Sequence, residues 1–154
     1  MVALSHTPNF YVFFSGYPAS AGLRILAETG QTDSIMDEFS YSINTGQALD
    51  AQVGPDVESP GQGELSIGVT STRHAVTVLS MIAPSPDWFV AGRAVLFDAQ
   101  DGRWYDKVTI DAISLDGGSD AGIDFTSPNM PMDSVSAVYP ITSGPLIQPG
   151  DTLV

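Results

Sequence analysis

The sequence has 154 residues, of which 18 are Asp or Glu and 5 are Lys or Arg, for a formal net charge of −13. This length suits one domain with a hydrophobic core and is too short for two domains of ordinary size. The negative charge repels phosphate backbones and anionic lipids, which argues against nucleic-acid and membrane-surface binding. The lack of cysteine excludes disulfides, thiolate catalysis and zinc–thiolate sites. No apolar run approaches the roughly 20 residues of a transmembrane helix.

The N-terminal stretch MVALSHTPNFYVFF has apolar residues without a preceding basic segment. We therefore expect no secretory signal in this stretch. Its strand character is strongest at Phe10, Val12 and Phe13. We expect the stretch to lie in or beside a sheet.

Two short helices are predicted after this stretch. In residues 18–30, PASAGLRILAETG, four apolar residues at helical spacing share one face: Ala19, Leu23, Leu26 and Ala27. Ser20 or Pro18 starts this helix and Gly30 ends it. Residues 32–40, TDSIMDEFS, predict a second helix, which Thr32 or Asp33 caps. Its buried residues are expected to be Ile35, Met36 and Phe39.

Residues 46–63 are rich in Gly, Pro, Asp and Gln without apolar periodicity, so a surface loop is predicted there. Beyond it, segments enriched in β-branched and aromatic residues alternate with turn residues. These segments are ELSIGVT (64–70), HAVTVLSMIA (74–83), WFVAGRAVLF (88–97), WYDKVTIDAIS (104–114) and VSAVYPI (135–141). Residues 98–104, DAQDGRW, indicate a hairpin turn. The pattern predicts a mainly-β fold, an antiparallel β-sandwich with a short helical excursion near the N-terminus.

Three carboxylates stand at the ends of predicted strands. Asp87 follows two prolines in MIAPSPDWFVAG (81–92) and directly precedes an apolar strand. Asp116 and Asp120 bracket DGGSD, whose glycines permit φ > 0 and let the backbone fold around a point. Such a turn can direct carboxylates and carbonyls at one centre, as Ca²⁺ requires. The residues alone do not exclude two simpler roles that need no metal. Asp87 can be a turn former, and DGGSD can be a solvated acidic turn.

The order of these motifs resembles a known family. PSPDWFVAG (84–92), followed by GRWYDKVTIDAISLDGGSDAGIDFTSPNMP (102–131), is similar to the N-terminal module of the spondins, the F-spondin and mindin family. That family carries P-S-P-D-W, a variable hairpin, a D-A-G-T-D-S-G turn and an S-P-N-x-P sequel. HTPNFYVFFSGYPASAGLRILAETG (6–30) resembles an earlier segment of the family. The resemblance covers residues 6–131, except the loop 46–63.

The resemblance implies an antiparallel β-sandwich whose loop carboxylates bind calcium. It places the metal ligands at Asp87, Asp116 and Asp120, with a calcium ion as the cofactor. Gly117 and Ser119 replace a family Ala and Thr. We expect both replacements to be tolerated, because neither residue supplies a ligand carboxylate. A further acidic ligand of some members is not carried over, because its local match is a serine.

The resemblance also implies differences at both ends of the chain. We expect residues 1–154 to form a single spondin-like domain without the strand that precedes ALSHTPNF in the family. The tail SGPLIQPGDTLV (143–154) also lacks the usual closing strand. Truncation and strand donation from a neighbouring chain both explain such an open sheet edge.

The function implied is a calcium-binding extracellular interaction or adhesion module of a surface or secreted protein. Its partner would be a cell surface, a matrix component or a second copy, bound through loops or an open sheet edge. The alternative is a structural subunit of an extracellular filament or layer, assembled by strand addition. An enzyme is not expected, because His6 and His74 are far apart and no nucleophile–base pair is evident. Three aromatic residues are predicted to be core residues, with a ligand-stacking patch as the alternative: Trp88, Phe89 and Trp104.

Overall fold

The computed structural model describes residues 1–58 and 60–143. Within these ranges the chain forms two helices and eight strands: β1 (Val2–His6), α1 (Ala21–Thr29), α2 (Asp33–Asn44), β2 (Ala48–Val53), β3 (Ala75–Met81), β4 (Trp88–Val95), β5 (Phe97–Asp98), β6 (Arg103–Trp104), β7 (Ile113–Asp116) and β8 (Tyr139–Pro140). The predicted mainly-β fold, with antiparallel strands and helices near the N-terminus, is confirmed. None of the helices in the described part has the length and apolar character to cross a membrane.

Six strands form the main sheet in the order β2-β1-β3-β4-β7-β8, and its neighbouring strands are antiparallel. Strand β1 lies in the interior of this sheet, because it pairs with β2 on one side and β3 on the other. The prediction that the N-terminal stretch lies in the sheet is confirmed, but the strand is Val2–His6. Phe10, Val12 and Phe13 lie outside the strand and pack against the core, so their apolar character reflects burial, not strand pairing.

Helix α1 begins and ends where the sequence predicts. The Ser20 hydroxyl accepts a hydrogen bond from the Leu23 amide at 3.2 Å, which satisfies one of the free amides at the helix start. Gly30 has φ 73°, the left-handed conformation that commonly ends a helix. Helix α2 is also confirmed, although Thr32 makes no side-chain capping bond.

The two helices form one unit because Gly22 lies directly against the backbone of α2. A Cβ atom at position 22 would lie 2.7 Å from Cα and N of Ile35. The Glu38 carboxylate accepts hydrogen bonds from the Ser20 hydroxyl at 2.6 Å and the Gly22 amide at 2.7 Å. This contact places negative charge at the N-terminus of α1, where the helix dipole favours it.

The hydrophobic core lies between these helices and one face of the main sheet. Its buried members include Val2, Leu4, Leu23, Leu26, Ile35, Phe39, Leu79, Phe89 and Leu115. Met36 packs against this cluster and is partly buried. Trp88 and Phe89 are buried as predicted. Trp104 is 43% exposed, contrary to prediction, because it belongs to the separate β5–β6 hairpin.

Several predicted boundaries in the second half of the fold were wrong. Strand β2 lies inside the predicted surface loop, where it pairs with β1. Residues 64–70 and 105–112, all within the described part of the chain, form no strand there, apart from an isolated bridge between Thr70 and Arg73. Strand β8 covers only two residues of VSAVYPI. The hairpin at 98–104 is confirmed, with Phe97 opposite Trp104.

Apolar side chains of these irregular segments make contacts without strand pairing. Ile110 lies against Gly92 of β4, where an added Cβ would be 3.1 Å from its Cδ1 atom. Leu65 similarly approaches Gly54 beside the end of β2. Ile110 is nevertheless 42% exposed and Leu65 is half-buried, so these contacts shield the two side chains only in part. The predictions for the tail 144–154 lie outside the described residues. They stay predictions, as does the single domain of 1–154 without the family's first strand.

Candidate metal site at the ends of β4 and β7

Asp87 and Asp116 lie at the same end of the main sheet because β4 and β7 are antiparallel neighbours. Asp87 immediately precedes β4, and Asp116 is the last residue of β7. Trp88 stands directly opposite Asp116 in the register of the two strands. Asp120 lies four residues further on, in the turn that leaves β7. The fold therefore brings the three aspartates that the sequence singled out into one region.

Asp87 holds this turn in place through one carboxylate oxygen. Its Oδ2 accepts hydrogen bonds from the Ser119 amide at 2.6 Å, the Ser119 hydroxyl at 3.1 Å and the Asp120 amide at 3.1 Å. Its carbonyl accepts a fourth hydrogen bond, from the Gly117 amide at 3.0 Å. The side chain is 0% exposed. Its second oxygen, Oδ1, is buried with no hydrogen-bond donor among the described residues.

The two glycines of the turn allow this close approach. A Cβ at Gly117 would lie 2.9 Å from the Asp87 carbonyl oxygen. Gly118 has φ +74°, and a Cβ there would lie 2.6 Å from the Ser136 carbonyl oxygen. The Gly118 amide donates to Asp116 Oδ1 at 2.8 Å. A larger residue at position 118 would strain the turn, since L side chains rarely adopt this φ and the Ser136 backbone lies within 3 Å of the added Cβ.

Asp120 anchors the loop that follows the turn. Its Oδ1 accepts from the Gly122 amide at 2.7 Å and its Oδ2 from the Met130 amide at 2.8 Å. The Ala121 amide donates in turn to the Met130 carbonyl at 2.9 Å. The side chain is 5% exposed. Asp120 therefore joins both ends of the loop 121–130 to the turn that follows β7.

Burial and mutual repulsion act together on these carboxylates. Burial raises the pKa of Asp87, the Ser119 amide partly opposes this, and the charge of Asp116 raises the pKa further. Burial also raises the pKa of Asp116, against the hydrogen bond from Gly118, and the charge of Asp120 adds to the increase. Both shifts show that negative charge is disfavoured at this point of the fold. A bound cation would reverse both effects.

The family model described as Spondin_N matches residues 1–149 of the chain. The chain belongs to the spondin N-terminal family. Spondin-1 of Gallus gallus is 29% identical over 156 residues, which cover 93% of this chain and 18% of that protein. Spondin-2 of Rattus norvegicus is 31% identical over 143 residues, which cover 90% of this chain and 43% of that protein. The chain thus spans less than half the length of these relatives.

Membership of the spondin N-terminal family confirms the resemblance that the motifs predicted. The donor chemistry of the three aspartates fits calcium, because Ca²⁺ prefers hard oxygen ligands. The buried Oδ1 of Asp87 also fits a cation. Across residues 1–58 and 60–143, however, no three acidic, histidine or cysteine side chains are arranged to hold a metal ion. Oxygens of Asp116 and Asp120 are directed at backbone amides instead. Calcium binding at these residues stays a prediction.

Two residues beyond the three aspartates contribute to this spondin-type site. Ser119 was considered only as a tolerated replacement, yet it donates two hydrogen bonds to Asp87. The sequence signal for this role is a hydroxyl-bearing residue between the two aspartates of the turn. Trp88 was predicted as a core residue, with a ligand-stacking patch as the less favoured alternative, and it lines a cleft of about 350 Å³ beside Asp116. Its buried indole nitrogen has no well-aligned acceptor in the described ranges, but its contact with Asp116 lowers the pKa of that carboxyl.

Proposed function

We propose that this chain is an extracellular interaction module of a longer surface or secreted protein. A calcium ion held by Asp87, Asp116 and Asp120 stabilises its loops. The observation that carries the proposal is the Asp87 carboxylate, which is 0% exposed and has one oxygen without a donor among residues 1–58 and 60–143. Membership of the spondin N-terminal family supports it.

The energetics of the site favour a cation. A buried carboxylate is tolerated when hydrogen bonds or an opposite charge offset the loss of hydration. Hydrogen bonds serve one oxygen of Asp87, and the neighbouring charge of Asp116 works against ionisation. Calcium would offset the charge of all three aspartates at once. Binding requires Asp116 and Asp120 to redirect oxygens from backbone amides to the ion.

The loops around the site have the character of an interaction surface. The cleft beside Asp116 is also lined by Ile123, which is 80% exposed, and by Tyr139, which is 57% exposed. Exposed apolar side chains next to polar groups are typical of sites that bind other molecules. Calcium at Asp120 would order the loop 121–130, which carries Ile123. The ion would thereby preorganise the surface for its partner.

The proposed function is not enzymatic. His6 is buried, and its ring nitrogens contact Thr77 Oγ1 at 2.8 Å and the Thr7 carbonyl at 2.7 Å. His74 is also buried, and its Nδ1 contacts the Ser71 carbonyl at 2.8 Å. These contacts engage both histidines away from the three aspartates. Neither imidazole supports a role as a base for the aspartate cluster.

Thermal melting with and without calcium tests the metal. In millimolar calcium the melting temperature should rise above its value in chelator, because a ligand of the native state stabilises it by mass action. Asp116→Ala should abolish this rise. Asp98→Ala removes one acid from the exposed hairpin and should leave the rise intact. Equal melting curves of the unsubstituted protein in calcium and in chelator would contradict the proposal.

The alternative, a filament subunit joined by strand addition, is favoured by the position of β2. This six-residue strand is at one edge of the main sheet, and a free edge offers backbone groups to another chain. Val53→Lys places a charge at the exposed end of β2 and should dissociate such an assembly. Val57→Lys, also at an exposed valine but outside the strand, is the control. Light scattering that shows a monomer at all concentrations would contradict assembly by this protein alone.

A further inference from the structure

A second cleft, on the core side of the main sheet, has apolar walls and one cationic group. It has a volume of about 260 Å³ and lies between residues 11–13 and strands β3, β4 and β7. Its apolar walls are formed by Val12, Phe13, Ala91 and Ile113. The Phe13 ring packs edge-on against Phe89, with centroids 5.5 Å apart and an interplanar angle of 86°. This contact fixes the position of the Phe13 ring in the wall of the cleft. We call this site the Arg93 cleft, after its cationic residue.

Arg93 lines the cleft with a guanidinium group that is only partly engaged. Its carbon Cζ lies 4.9 Å from the centroid of the Tyr11 ring, a cation–π distance. One terminal nitrogen donates to the Pro8 carbonyl. The Nε atom is buried without an acceptor among residues 1–58 and 60–143. The salt bridge found within these ranges joins Arg103 and Asp101, so no carboxylate there pairs with Arg93.

Arg93 combines a guanidinium that has no carboxylate partner in the described ranges with a position in the wall of a cleft. A carboxylate is the group whose geometry and charge match a guanidinium. Asp111 also lines the cleft and is exposed. Its negative charge opposes the binding of any anion, and the repulsion is greater for ligands with more than one anionic group. The volume lies near the lower end of the range for ligand pockets, about 300 Å³, which favours a small ligand.

We propose that the Arg93 cleft binds a small monocarboxylate with an apolar body. The carboxylate pairs with the guanidinium of Arg93, and the apolar body contacts Val12, Phe13 and Ile113. Tyr11 lies over the guanidinium and keeps it from turning into solvent. The Arg93 cleft is separate from the three aspartates, so this proposal does not depend on calcium binding to them.

Nuclear magnetic resonance of the ¹⁵N-labelled protein tests the proposal directly, because the Arg93 Nε–H group has its own signal. The probe is 3-phenylpropionate, compared with the neutral 3-phenylpropanol and the cationic 3-phenylpropylamine, which have the same apolar body. The carboxylate should shift the Arg93 Nε–H signal and the amide signals of residues 12, 13 and 92. It should bind at least about tenfold more tightly than the alcohol, as expected for a charged hydrogen bond. The amine should bind most weakly.

Two substitutions sharpen this test. Arg93→Lys keeps the charge but loses Nε, and should weaken carboxylate binding about tenfold. Arg103→Lys makes the same change in the exposed hairpin and should leave binding unchanged. If Arg93→Lys proves unfolded in thermal melting, Ala91→Val, which narrows the cleft, replaces it and should also weaken binding. Equal affinity for the carboxylate and the alcohol in the unsubstituted protein would overturn the proposal. So would carboxylate-induced shifts confined to residues outside the cleft.

Discussion

Asp87 shows how one side chain can be both a structural clamp and a candidate ligand. Its Oδ2 fastens the turn after β7 through three hydrogen bonds, while its buried Oδ1 has no donor in the described part of the protein. A turn former would be expected to hold its own turn, within a few residues. Asp87 instead holds a turn more than 30 residues away in sequence. Asp87 is therefore not a local turn former, and the DGGSD turn that it holds is largely buried, not solvated.

His6 is the residue whose titration should affect stability most clearly near neutral pH. Burial lowers the pKa of this imidazole, the Thr7 carbonyl partly opposes the shift, and the positive charge of Arg93 lowers it further. The native state therefore disfavours protonated His6, whereas the unfolded chain protonates it near its usual pKa of about 6.5. The unfolded state gains protons first as the pH falls. The contribution of His6 to stability must decrease as the pH falls below about 6.5.

We predict that the free energy of unfolding falls more steeply in the unsubstituted protein than in His6→Gln between about pH 7 and pH 5. Urea denaturation at each pH, in the presence of chelator, measures both proteins. The raised pKa values of Asp87 and Asp116 act in the opposite direction, since their stabilising effect is lost as the pH rises above their usual pKa. They are common to both proteins and cancel in the comparison. Parallel pH profiles would show that His6 is not responsible.

At the scale of the elements, the helix pair depends on one close contact. Gly22 brings α1 against the backbone of α2, and the Glu38 carboxylate joins the same helix start. The three atoms nearest to a Cβ at position 22 are backbone atoms of Ser34 and Ile35. They cannot move aside as a flexible side chain could. Separation of the helices would also disturb the packing of Leu23 and Leu26 on the sheet.

We predict that Gly22→Ala destabilises the protein by about 1–3 kcal/mol, although alanine is the better helix former. Overpacking between the helices should outweigh the gain in helix propensity. Glu28→Ala, on the exposed side of α1, is the control and should change stability by less than about 0.5 kcal/mol. Urea denaturation measures both variants. If the Gly22→Ala protein is as stable as the unsubstituted chain, the helices can move apart without loss of stability, which would contradict the prediction.

For the whole molecule, the net charge of −13 is the dominant electrostatic property. Excess charge of one sign destabilises a compact state through self-repulsion. Salt screens charges that are more than about 8–10 Å apart at physiological ionic strength. The described ranges contain a single salt bridge between side chains, which is exposed, so specific ion pairs do little to offset the repulsion.

We predict that sodium chloride raises the melting temperature in chelator, because it screens this repulsion. The increase should be gradual and should continue to about physiological ionic strength. Repeating the series near the isoelectric pH is the control, since the salt effect should largely disappear there. Calcium compared at matched ionic strength separates screening from specific binding. A melting temperature that does not respond to salt at neutral pH would contradict the prediction.

Local signals in the sequence determined the helices and the hairpin, whereas the grouping of the three aspartates was implied only by the family resemblance. Ser20 and Gly30 act on their own helix, and the turn residues of 98–104 act on their own hairpin, so no distant partner is needed. Tertiary structure alone decided β2, the loss of strands at 64–70 and 105–112, and the Arg93 cleft. The pairing of Val2 with Val53 shows why, because a strand exists only where a distant backbone meets it. The same holds for Asp87: its identity is local, but its burial and its free oxygen depend on residues far along the chain.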